Sequence, residues 1–311
     1  MFSRIPKSTR VLVAFASVYV LWGSTYSAIH IAGERLPAPV VAATRSLLTV
    51  TIIVAICLLR RKSLRVPQGE GWKLAVVGLL FMSGNNMMLT WGEKMVPSGF
   101  ASLVVSTMPI MIALLEMLLH RLGHGGEPLN GRGWAGTLLG MAGIVVLVLP
   151  SMRGEPMTDA SRPVLGVFVL LGAALSFAVG SVLSRRFRFK ADTLVATGWE
   201  IGTAGIFNTL VAVLGGSVRH ADWTWGGFTA IVYLSIFGSL FGLVAFTYLL
   251  QNVAVTKVST YAFVNPVIAV LLGVLLLHER LAKTEVMGMA VIVCGVAMVV
   301  YSRVNRVAIK K

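Results

Sequence analysis

Three ionisable side chains, Arg45, Glu116 and Glu200, stand inside long apolar stretches of this 311-residue chain. An unpaired charge at the centre of a bilayer costs about 2.5–3.5 kcal/mol on insertion scales, so each is a candidate site residue. Arg45 lies ~9 Å from the outer end of its stretch if a helix begins near Pro39, and Glu200 lies at a similar depth from the inner end. In the functional reading Arg45 anchors a carboxylate or gates access, and Glu200 is its counterpart inside. In the structural reading each snorkels or caps neighbouring helix ends. Glu116, close to the inner end of its stretch, fits the structural role better. No Asp sits mid-membrane.

Aromatic residues recur at Phe15, Tyr19, Trp22 and Tyr26, spacings of four, three and four that share one helical face. Trp91, Trp199, Tyr248, Tyr261 and Phe263 extend this slot if they face inward. Asn86 would add an amide, as would its neighbour Asn85 and Asn208, although buried amides more often join helices. The walls would be mostly apolar with a few donors, suited to a small amphipathic solute. Trp72, Trp223 and Trp225, near stretch ends, read instead as interface anchors.

Catalytic and metal chemistry find little support. The five histidines sit mostly at stretch ends or in loops without metal spacing, and no Ser/His/Asp arrangement is visible. His30 lies within a span and reads as a hydrogen-bonded structural residue. Cys57 and Cys294 read as small apolar fillers. No G-x-x-x-x-G-K-[ST] motif occurs, so no nucleotide or other cofactor is expected.

These residues are positioned by apolar segments. Hydrophobic residues make up 56% of the chain and charged ones 13%, too few to wrap one soluble core of this length. A bilayer span needs about 20 apolar residues. Ten such spans are predicted: Val11–Gly33, Val40–Leu59, Trp72–Trp91, Pro97–Leu119, Gly133–Leu149, Pro163–Ser184, Leu194–Leu214, Gly226–Leu250, Val258–Leu277 and Lys283–Ser302. Their continuous runs lack the period of two that barrel strands require. The expected fold is therefore an all-α membrane protein. The first span is too long for a cleaved signal peptide and is read as a retained helix.

A net charge of +15 could suggest nucleic acid, but the basic residues are spread by topology rather than gathered in a patch. Arg4, Lys7 and Arg10 precede the first span; Arg60, Arg61, Lys62, Arg65 and Lys73 follow the second. Arg121 and Arg132 follow the fourth, Arg185, Arg186, Arg188 and Lys190 the sixth, and Arg303, Arg306, Lys310 and Lys311 the tenth. Arg280 and Lys283, after the ninth, are counted with them. The positive-inside rule then puts both termini in the cytoplasm.

The chain also matches itself. A shift of 157 pairs Met108-Pro109 with Asn265-Pro266; a shift of 155 pairs Trp22 with Phe177 and Arg45 with Glu200. Two halves result, 1–155 and 156–311, each with five spans. An odd number turns the second copy upside down, and inverted repeats are the mark of many secondary transporters. Pro109 and Pro266 each remove a backbone donor within a span, which favours paired kinks and a hinge. Gly133, Gly136, Gly140 and Gly143, echoed by Gly288 and Gly295, make the fifth and tenth helices packing elements or the seam of a homodimer.

Leu21-Trp22-Gly23-Ser24-Thr25-Tyr26, Pro37-Ala38-Pro39 through Arg45, Ser106-Thr107-Met108-Pro109, Asn265-Pro266 and Leu276-Leu277-His278-Glu279-Arg280-Leu281 resemble segments of the drug/metabolite transporter superfamily, EamA-domain type. The resemblance spans nearly the whole chain. It implies ten helices as two five-helix repeats around a central cavity formed by helices one to four and six to nine. Within it the chain is most similar to amino-acid exporters, including the aromatic amino-acid exporters of the YddG type. The expected function is export of a small organic metabolite, an amino acid and aromatic in one form of the reading, across the bacterial inner membrane by alternating access. The rivals are an intramembrane lipid-modifying enzyme or protease, and a channel or lipid scramblase. The expected partners are a small-molecule substrate and the lipid bilayer.

Overall fold

The computed structural model describes residues 7–124, 130–152, 160–253, 258, 261–279 and 283–309, and no strand occurs among them. The helices are α1 (Lys7–Gly33), α2 (Ala38–Leu59), α3 (Gly71–Gly92), α4 (Ser98–Arg121), α5 (Gly131–Met152), α6 (Pro163–Phe187), α7 (Thr193–Leu214), α8 (Trp225–Asn252), α9 (Tyr261–Leu276) and α10 (Lys283–Ile309). Six of those described, α1, α2, α3, α4, α6 and α8, are long and apolar enough to cross a membrane. Shorter apolar stretches lie at Val264–Leu276 in α9 and Val286–Val299 in α10.

Local chemistry marks the starts. Pro37 and Pro97 precede α2 and α4, and Pro163 opens α6, where a missing N–H leaves no helical bond unmade. Asp192 caps α7 by accepting from the Leu194 amide at 3.1 Å, and Thr224 caps α8 by accepting from the Gly227 amide at 3.1 Å.

The helices pack across the two halves. α1 rests on α8 and α9, while α6 rests on α3 and α4; α2 pairs with α7 and α5 with α10. In the last pair a side chain at Gly136 would strike the Gly295 carbonyl, and one at Gly143 would strike Ile292 and the Gly288 carbonyl. Backbone therefore lies directly on backbone, which only glycine allows. The expected glycine face is used within the chain. The contacts also make α5 and α10 antiparallel, so Lys283 at the start of α10 lies at the opposite end from Arg132 near the start of α5. Grouping the cations after the ninth span with those after the fourth is corrected: helices of opposite sense return the chain to the other face.

Three helices depart from regular α geometry. α3 widens into a π-helix at Leu79–Asn85 and α8 at Leu234–Leu243. The two segments begin 155 positions apart, the shift that pairs Arg45 with Glu200. α4 is interrupted at Ser106-Thr107, whose hydroxyls donate back to the Leu103 and Val104 carbonyls at 2.6 Å, and Pro109 sits in the first turn of the part that follows. α9 runs through Pro266 without interruption. The two prolines thus sit in different surroundings: α4 breaks just before Pro109, where serine and threonine back-bonding adds to the missing proline donor, while Pro266 lies inside a continuous helix.

Candidate functional site

The centre of the bundle is an aromatic cluster contributed by five helices. Trp22 (α1) meets Phe177 (α6), Phe246 (α8) and Tyr261 (α9) at ring separations of 5.6, 4.8 and 5.5 Å. Phe81 (α3) stacks obliquely on Phe177 at 4.7 Å. Such tilted and edge-on pairs fit the charge distribution of aromatic rings.

Both π segments are latched to this cluster by the first helix of the opposite half. Trp22 Nε1 donates to the Gly238 carbonyl at 3.0 Å, and Ser176 Oγ donates to the Leu80 carbonyl at 2.9 Å. A π turn shifts its carbonyls out of the i−4 ladder, and π segments are frequent at functional sites for this reason.

A cavity of about 60 Å³ borders the cluster. Trp22, Phe81, Phe177 and Tyr261 form its apolar side; Thr25, Tyr26, Arg45, Asn85, Asn86 and Asn265 supply its polar atoms. That volume holds a few waters. A metabolite needs roughly several hundred Å³, so the rings must part before one can enter.

Arg45 is the charge facing this space. Its Nε donates to Ser239 Oγ at 2.7 Å, in the π segment of α8, and its two terminal nitrogens meet no acceptor among the described residues. Gly238 permits the approach, since a Cβ there would touch Thr25 and the guanidinium. Just beyond the cavity, Glu93 is 2% exposed and both its carboxylate oxygens are buried without a donor among the described residues. Glu279, buried nearby, is differently placed: it accepts from the Ser98 and Gly99 amides at 2.7 and 3.1 Å, at the start of α4. Glu200 lies at 1% exposure in α7, with Oε2 buried and unpartnered, outside the cavity lining; its backbone carbonyl is pressed against Gly78 of α3.

Of the residues expected from sequence, Trp22, Tyr26, Arg45, Asn86 and Tyr261 are brought to one cavity. Tyr19, Trp91, Trp199, Glu200 and Tyr248 are not among its lining residues. Trp91 is 50% exposed on the outer surface of the bundle. Trp199 is 42% exposed, with Nε1 donating to the Leu64 carbonyl. Both extend the aromatic slot only if they face inward, and their helices present them outward. The side chain of Phe263 lies outside the described residues. Asn208 joins α7 to α3 by donating to the Met82 carbonyl at 3.2 Å, an interhelical role. Sequence reasoning missed Phe81, Phe246 and Met82, which carry no signal beyond apolarity, and Glu93, which falls just past the end of its span. Among the described residues no group of His, Cys, Asp and Glu could hold a metal ion.

The EamA-like transporter family matches residues 9–149 and again residues 164–301. The chain belongs to the EamA-like transporter family. It is 33% identical to the inner membrane transporter YedA of Escherichia coli K12, over 92% of this chain and 89% of YedA. The transporter YoaV of Bacillus subtilis is 24% identical, over 93% of this chain and 96% of its own length. A WAT1-related chloroplastic protein of Arabidopsis thaliana is 27% identical, over 93% of this chain and 69% of that protein. A crystal structure of a 25% identical chain superimposes with a TM-score of 0.65, covering 94% of this chain and 96% of the other. This EamA protein is a multi-pass inner-membrane transporter, and the family's double match coincides with a double set of π segments. None of these relatives' names specifies a solute.

Proposed function

We propose that this EamA protein is a secondary carrier that exports a small carboxylate-bearing metabolite, an amino acid, by alternating access. Its ten helices cross the bilayer as two inverted five-helix repeats, with both termini in the cytoplasm. The observation that carries the reading is Arg45, held at Nε by Ser239 and lining a cavity that Trp22, Tyr26, Phe81, Phe177 and Tyr261 also line. A planar fork of donors suits a carboxylate, and rings suit an apolar or aromatic side chain.

The conformation has its solute space nearly closed. Opening separates Trp22 and Tyr261 from Phe177 and Phe81, that is, α1 and α9 from α6 and α3. The π segments of α3 and α8 and the break before Pro109 supply the compliant turns, with Pro266 at the matching place in α9. Exchange of contacts between halves supports two related states, since the same packing repeats with the partners swapped.

Counterflow in proteoliposomes tests this with labelled L-phenylalanine, L-tryptophan and L-threonine. A carrier gives saturable uptake driven by internal unlabelled solute, lost in Arg45→Ala. Flux without saturation makes the protein a channel, and phospholipid redistribution without counterflow makes it a scramblase.

A further inference from the structure

α4 begins without a cap of its own. The residue before its first turn is Pro97, whose side chain has no acceptor, so the Ser98 and Gly99 amides find none within their own helix. Glu279 supplies it from beyond the end of α9: Oε1 accepts from the Ser98 amide at 2.7 Å and Oε2 from the Gly99 amide at 3.1 Å, with the residue only 8% exposed. A carboxylate shared between two amides at a helix start is a charge-assisted contact, favoured further by the helix dipole.

Both helices are shaped to seat it. His278 is left-handed, with φ 55°, and the Glu279 amide bonds back to the Gly273 carbonyl at 3.1 Å, which turns the chain over the end of α9. A side chain at Gly273 would strike the Glu279 carboxylate, and one at Gly99 would crowd both it and Val270. α9 and α1 rest on this first half of α4, Ser98–Val105. Val105 lines the cavity, about 10 Å further along the helix than Ser98. In the proposed orientation α4 enters from the outer face, so this clasp joins α4 to α9 between the cavity and the outside.

The first half carries a different group at the matching place. Leu118-Leu119-His120 at the end of α4 recurs as Leu276-Leu277-His278 at the end of α9, but Arg121 follows the first run and Glu279 the second. A guanidinium only donates and cannot accept from amides. A carboxylate clasp is therefore available to one face and not to its counterpart, which makes the two access states unequal.

We propose that Glu279 is the positioning residue of an outer gate: its two hydrogen bonds hold α9 on α4 and bias the empty carrier toward the state closed to the outside, in which solute is collected from the cytoplasm. Release outward breaks both bonds and gives the carboxylate and the two amides to water. Closure forms them again. This rests on the alternating-access reading and its orientation.

The test uses the full chain carrying Cys57→Ser and Cys294→Ser, with Leu89→Cys as a reporter on the cavity wall. A membrane-impermeant thiol reagent is applied to intact cells, and separately to inverted vesicles. With the clasp intact, labelling should come chiefly from the cytoplasmic face. Glu279→Gln, whose amide offers one acceptor in place of two, should raise labelling from outside about tenfold and lower it from inside, while Kd for L-phenylalanine in nanodiscs stays within about threefold. Gly273→Ala leaves the charge but displaces it; it should act in the same direction, and it decides if Glu279→Gln does not fold. Faster labelling from both faces at once would mean that Glu279 merely stabilises the bundle, and overturns the proposal, as does unchanged sidedness in both variants. Equal labelling from both faces with the clasp intact, whether or not L-phenylalanine is present, overturns the carrier reading instead, and the gate falls with it.

Discussion

Arg45 and Glu200 occupy equivalent places in the two halves, 155 positions apart, yet they meet opposite surroundings. Arg45 faces a cavity and is tethered by one hydroxyl of the π segment in α8; Glu200 is sealed between helices, its backbone flat against Gly78 beside the π segment in α3. One sequence plan, used twice, is therefore caught with one end hollow and the other packed. The difference teaches that the duplication supplies the scaffold while the charges placed on it give each end its own task. In the proposed carrier the cationic end holds the solute, and the acidic end becomes accessible only in the other state.

The largest effect should come from removing the cation. Arg45→Ala loses a two-pronged charged contact worth about 2–3 kcal/mol, so Kd for L-phenylalanine should rise by roughly 30- to 150-fold. Arg45→Lys should recover only part of this, since an ammonium cannot hold both oxygens in one plane. Isothermal titration in nanodiscs checks both, and unchanged affinity would erase the distinction between the two ends.

The acidic end predicts a split between binding and turnover. Glu200→Gln should alter Kd by less than about threefold, because the residue lies outside the cavity, while counterflow falls by about tenfold. A change in Kd as large as that of Arg45→Ala would mean that both ends touch the solute at once.

Gly238→Ala sharpens the comparison more gently. The added methyl presses on Thr25 and the guanidinium, displacing Arg45 from Ser239 and weakening binding by about fivefold, roughly 1 kcal/mol. Gly84→Ala, in the π segment of α3, presses on Ser176 instead and should leave Kd unchanged while slowing exchange.

The smallest effect lies at the surface, where Lys62 Nζ donates to Asp192 Oδ2 at 2.7 Å. Burial raises the Asp192 carboxyl, but the Lys62 hydrogen bond and charge and the Val195 and Leu194 amides together hold it below the usual value. A depressed carboxyl contributes stability above its unfolded pKa and loses it as pH falls through the folded one. Asp192→Ala should therefore lower the melting temperature by about 1–2 °C at neutral pH, and by less in acid, since the pair is half exposed.

Much of the architecture was legible because lipid imposes a length on helices. The apolar runs ending at Gly33, Leu59 and Leu214 stop where the helices stop. Arg45 stood out as a charge in an apolar run, and the shift of 155 that paired Trp22 with Phe177 brought together two residues whose rings touch. What stayed hidden depends on rotation and on neighbours. A tryptophan within a span reads alike whether it is exposed on the outside of the bundle, as Trp91 and Trp199 are in part, or lines a cavity, as Trp22 does. The π segments leave no mark beyond serines and glycines. Glu93 and Glu279 fell past the ends of their helices, where a carboxylate ordinarily meets water, yet both are buried, Glu279 against the start of α4.

The glycine joint between α5 and α10 is one of the seams at which the first half of the polypeptide meets the second, with backbone lying directly on backbone. A gene split between the codons for residues 152 and 163 would leave each fragment carrying one face of that joint. Made as separate products, the fragments should find each other sideways in the bilayer and rebuild a working carrier without a covalent bridge.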